Sequence, residues 1–125
     1  MTKESALQYW FESLGLMAYQ ADALPTGENA PPFPYLTYEL ATDGWGTAVP
    51  ISASLWYRST SWIAANEMTR HISEQISRGG TLLHCDDGTI WITRGTPFAR
   101  SARDDTDDQV KRKILNIMVE YLTED

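Results

Sequence analysis

The spacing of apolar residues changes period along this chain, and each change marks an element. Leu7, Trp10, Phe11 and Leu14 recur at helical spacing, which predicts an amphipathic helix over residues 4–17 with Gly15 near its stop. Residues 25–34 hold Pro25, Gly27, Pro31, Pro32 and Pro34. Proline fixes φ and lacks a backbone N–H, so this stretch reads as an extended connector. Tyr35 to Ala41 is aromatic and β-favouring and predicts a first strand. Thr42-Asp43-Gly44-Trp45-Gly46 then reads as a turn by its two glycines. From Val49 to Arg58 the period is two. Ile51, Ala53, Leu55 and Tyr57 form an apolar face, and Ser52, Ser54, Trp56 and Arg58 a mixed one.

Ser59-Thr60-Ser61 supplies hydroxyls able to cap a helix start. Trp62, Ala65, Met68, Ile72 and Ile76 follow as one helical stripe, and Gly79-Gly80 is the expected end. Thr81 to Cys85 and Thr89 to Thr93 flank Asp86-Asp87-Gly88, a strong hairpin signal. Residues 94–108 read as a long loop closing on the acidic run Asp104 to Asp108. Val110 to Leu122 fits two periods. Val110, Ile114, Ile117, Met118, Tyr121 and Leu122 make a helix face, whereas Lys111, Lys113, Leu115, Ile117, Val119 and Tyr121 make a strand face. The pattern predicts an α+β fold, two main helices packed on a largely antiparallel β-sheet.

A length of 125 residues predicts one domain over 1–125. Apolar residues at 42 % against 22 % charged favour a packed core over disorder. The net charge of −7 argues against a duplex-DNA clamp, because phosphate binding draws on cations. A local basic patch stays open, with Arg94, Arg100 and Arg103 as its candidates. Cys85 is the one cysteine, so no internal disulfide forms. No apolar run reaches membrane-spanning length, and Met1-Thr2-Lys3-Glu4 opens no signal core. A reducing cytoplasm is the expected setting.

Candidate chemistry is sparse. His84 and Cys85 are neighbours on a predicted strand, so their side chains point to opposite faces and cannot easily share a metal ion. His71 has Glu67, Met68, Glu74 and Gln75 at helical spacing and reads as a solvated helix-face histidine. The Asp104–Asp108 run lacks the glycine of a calcium loop. Gly44, Gly46, Gly79 and Gly80 fit turns, not a phosphate cradle. The expectation is therefore no catalytic residue, no metal and no cofactor. Trp10 and Trp62 sit on apolar stripes. Trp45 and Trp56 do not, and are covered either by a partner or by the same chain. Arg58 suits a carboxylate, on a neighbouring subunit or within the chain.

Four segments carry a resemblance. They are Pro31 to Leu40, Pro50 to Trp62, Arg94-Gly95-Thr96-Pro97-Phe98-Ala99, and Asn116 to Asp125. Together they resemble the tail-terminator-like, tail-completion proteins of long-tailed bacteriophages, over roughly residues 30–125. The resemblance implies a compact α+β domain, a strand for residues 110–122, and a structural virion protein without catalysis or cofactor. It also implies a homo-oligomeric ring, sixfold, that stops growth of the tail tube and offers its other face to the head connector. Genomic DNA would pass through the lumen without specific binding, in a protein of the tail or neck assembled in the host cytoplasm. No membrane is involved in this reading. Trp45, Trp56, Arg58, Arg94, Phe98 and Arg100 are the candidate subunit or tube interface. A head-completion or neck connector role, or a small ligand-binding or enzymatic domain, are the alternatives.

Overall fold

The computed structural model describes residues 1–104 and 106–124. Asp105 of the acidic run and Asp125 lie outside the described residues. Helix α1 runs Lys3–Glu12 and α2 Ile63–Ile76. The strands are β1 Met17–Gln20, β2 Tyr35–Tyr38, β3 Thr47–Arg58, β4 Thr81–Cys85, β5 Gly88–Arg103 and β6 Val110–Thr123. They form one sheet in the order β1-β2-β3-β6-β5-β4. The β1–β2 pair is parallel and the other pairs are antiparallel. Among the described residues no helix is long and apolar enough to cross a membrane.

The expected α+β architecture, two main helices packed on a largely antiparallel β-sheet, is overturned in its shape. The six strands curl into a half-barrel. The cause lies in strand length and in one irregularity. Strands β3, β5 and β6 are long enough for their right-handed twist to accumulate into coiling. In β5 the register jumps between Arg94, opposite Ile117, and Ala99, opposite Leu115. Gly95, Thr96, Pro97 and Phe98 thus face Asn116 alone, and such an insertion bends a strand. A Cβ at Gly95 would come within 2.9 Å of the Asn116 carbonyl oxygen, so glycine permits the close approach.

Helix α1 shows the consequence of the curl. It packs on both β1 and β4, which are the opposite edges of the sheet. The helix therefore plugs the gap between the edges, and α2 packs on β3, β5 and β6. Leu7 and Phe11 of α1, Ile72 and Ile76 of α2, and Tyr38, Leu55, Ile90, Leu115 and Ile117 of the sheet share one buried core. Phe11 stacks on Tyr38 with ring centroids 4.2 Å apart. The Tyr38 hydroxyl donates to Gln8 Oε1, and Gln8 Nε2 donates to the Ala18 carbonyl at 2.9 Å, which ties α1 to β1 and β2. Thr2 caps α1, accepting from the Ser5 amide.

Several boundaries differ from expectation. Residues 94–108 are not a long loop, since β5 continues to Arg103 and pairs with β6 there. Gly95 and Pro97, which read as loop signals, fall inside the bulge, where a missing N–H leaves no ladder bond unmade. Helix α1 ends at Glu12, before the expected 17, and residues 17–20 pair with β2 instead. Helix α2 ends at Ile76 because Ser77 adopts φ 66°, ahead of Gly79-Gly80. The N-cap of α2 is Trp62, which makes no side-chain cap bond, and Ser61 Oγ just before it accepts from the Ile63 amide at 3.0 Å. Residues 110–123 are a strand, with Leu115, Ile117, Val119 and Tyr121 facing the core.

Candidate interaction surface

The outer face of the half-barrel carries two groups of side chains at opposite ends of the long strands. At the first end, alternation sends Leu83, Ile90 and Ile92 inward and leaves Leu82 and Trp91 outside, directly opposite each other. Trp91 also lies opposite Glu120 of β6, two residues from Leu122. Trp45, in the loop before β3, is exposed near the same end of the sheet, where its amide donates to the Thr123 carbonyl at 2.7 Å. Exposure is 81 % for Trp45, 58 % for Leu82, 47 % for Leu122 and 37 % for Trp91. Leu82 and Trp91, exposed side by side in register, make a contiguous apolar group of the kind that interaction surfaces carry.

The second end is aromatic and cationic. Tyr35, Trp56 and Arg112 lie in one cross-strand row. The Tyr35 and Trp56 rings stack at 6.1 Å, and the Arg112 guanidinium sits 4.6 Å from the Trp56 ring centroid. Trp56 Nε1 donates to Thr37 Oγ1 at 2.9 Å, and Arg112 Nε to Ser54 Oγ at 3.1 Å. Both hydroxyls are buried, and these bonds satisfy them. Burial pushes the Tyr35 hydroxyl above its ordinary pKa. Arg100 stands exposed opposite Ile114 in the next row.

The β5–β6 turn orders this end. Asp104 accepts from the Thr106 hydroxyl and amide, which hold its carboxyl below the usual carboxylate range. Asp107 accepts from the Gln109 amide at 3.0 Å and from Arg58 Nη1 at 2.5 Å, and both lower its pKa in that order. A cleft of about 390 Å³ opens beside the turn, lined by residues including Trp62, Arg103, Asp104, Asp108 and Lys111. The ammonium groups of Lys111 and Lys113 lie 5.8 and 5.5 Å from the Trp62 ring centroid.

The six candidate interface residues fall in three places. Trp56, Arg58 and Arg100 share the cationic end. Trp56 is half-buried, with Tyr35 and Arg112 of its own sheet face against it, and Arg58 pairs with Asp107 of the same chain. Arg94 and Phe98 belong to the bulge, where Arg94 Nη1 donates to Ser73 Oγ of α2 at 2.8 Å and Phe98 packs against the core. Trp45 stands alone at the far end. His84 is exposed and Cys85 half-buried against the core, on opposite faces of β4. His71 is exposed on α2.

Leu82, Trp91 and Leu122 were not among the candidates, although one signal held the first two. A two-residue turn at Asp86-Asp87 sets Leu82 opposite Trp91. Tyr35 and Arg112 had no such signal, because residues 110–122 also fit a helix. No protein-family model, curated protein or solved structure matches this chain.

Proposed function

We propose that this protein is a structural virion component of a long-tailed phage that caps the tail tube as a ring and joins tail to head. The observation that carries the reading is the apolar end of the outer face, where Leu82, Trp91 and Leu122 are exposed together and Trp45 is exposed near the same end. A small domain that exposes such a group is built for contact with protein. The four segments that resemble tail-completion proteins give that contact its direction. In this reading the protein acts without catalysis or cofactor, in the tail or neck, after assembly in the host cytoplasm. Its partners are further copies of itself, sixfold around the tube, then the tube protein and the head connector. The net charge of −7 suits a lumen that DNA passes without being held.

The test is retention of the purified protein on tail tubes assembled from the same genome's tube protein, and separately on connector complexes. Retention on tubes supports a terminator. Retention on connectors alone would replace it by a head-completion role.

A further inference from the structure

The two ends of the outer face are chemically complementary. The apolar end is ringed by carboxylates. Asp86 and Asp87 form the β4–β5 turn, Glu120 lies within the patch, and Glu124 follows β6. One of them is partly compensated, since Asp86 takes the N-terminal ammonium at 2.6 Å. The aromatic end carries Arg100 and Arg112 on the face of Trp56, with Arg103 opposite Lys111 on the other face, and the adjoining turn brings Asp104, Asp107 and Asp108, of which Asp107 is taken by Arg58. Among the described residues, neither Arg100 nor Arg112 has a carboxylate partner.

One copy cannot satisfy itself. The continuous β3–β6 ladder separates the ends, from Thr47 opposite Tyr121 to Arg58 opposite Val110. At about 3.3 Å per residue that ladder spans roughly 35–40 Å. A carboxylate-rimmed apolar patch and a cation-rimmed aromatic patch on the same chain supply the two unlike halves of a heterologous contact. Charge of opposite sign would steer the two patches together and fix their register.

We propose that the apolar, acidic end of one copy docks on the aromatic, cationic end of a second copy. The inference rests on the ring reading above and assigns its two faces. Leu82, Trp91 and Leu122 supply the buried area, and Arg100 and Arg112 meet Glu120 and the turn carboxylates.

The experiment is sedimentation velocity on the full-length protein over a concentration series, at low and high salt. Two double variants are compared, Leu82→Lys/Leu122→Lys and Arg100→Glu/Arg112→Glu, with circular dichroism checking the fold. Arg100→Glu alone serves if loss of the Arg112–Trp56 contact disturbs folding. The wild type is expected to self-associate, with affinity falling at least about tenfold from low to high salt. Each double variant alone is expected to remain monomeric. Their equimolar mixture is expected to form a two-copy species, because each retains one intact end. A wild type that stays monomeric, a mixture that stays monomeric, or variants that associate like wild type would each overturn the contact. If Leu82→Lys/Leu122→Lys loses tube binding with self-association intact, the acidic end faces the tube and the proposal is wrong. The two readings fail separately. Self-association without tube capping would sink the terminator reading alone, and capping by a protein that never self-associates would sink this contact.

Discussion

Phe11 shows how much of this fold rests on single side chains. It is fully buried, stacks on Tyr38 and stands at the point where α1 closes the sheet. Phe11→Ala is expected to cost about 3–5 kcal/mol through lost burial and the cavity left behind, read by urea unfolding. Asp107 works by charge. Its folded pKa is depressed, so its contribution is present above the ordinary carboxylate value of about 4. That contribution is lost as pH falls through the depressed value. The melting temperature of wild type is therefore expected to drop more on acidification than that of Asp107→Asn. Equal slopes in thermal melts across that range would remove the role given to the Arg58–Asp107 turn. Trp45 is the opposite case. It is mostly exposed at φ 59°, a conformation that asparagine tolerates. Trp45→Asn is expected to leave stability within about 0.5 kcal/mol by urea unfolding, and to weaken self-association in sedimentation velocity.

Among the elements, β5 departs furthest from its sequence signals. Its Gly95 and Pro97 spell a loop locally, yet Ala99 to Arg103 return to the ladder against β6. Local turn chemistry lost to long-range pairing, and a one-dimensional pattern does not carry that information. The same reason hid β1, whose four residues gain order from parallel pairing with β2. The elements that were legible had either a strict period or a decisive turn. The alternating face of β3, the α2 stripe and the Asp86-Asp87 hairpin are of this kind. The curl was not legible, because it follows from twist accumulated over strands whose full length was hidden. The bulge itself is open to test. Gly95→Val would drive side-chain atoms into the Asn116 backbone and is expected to cost about 1–3 kcal/mol by chemical denaturation. Hydrogen exchange should then speed up first in β5 and β6, and unchanged protection there would show that the bulge does not hold the sheet's shape.

At the scale of the whole molecule, the half-barrel separates two tasks. Its concave side holds both helices and the core. Its outer face is left with apolar side chains at one end and a cation-capped aromatic row at the other. Of the candidate residues, Trp45 and Trp56 stood out in the sequence by lying off the apolar stripes, Arg58 by its place beside Trp56, and Arg100 as part of a basic patch. Sequence reasoning missed Leu82, Trp91 and Leu122, which look like ordinary core residues until register shows them facing outward. The most direct measurement is electron microscopy of tubes grown from the same genome's tube protein with and without this protein. A cap of density at one tube end, with growth arrested, is the expected result. Bare ends and continued growth at saturating protein would contradict the terminator reading.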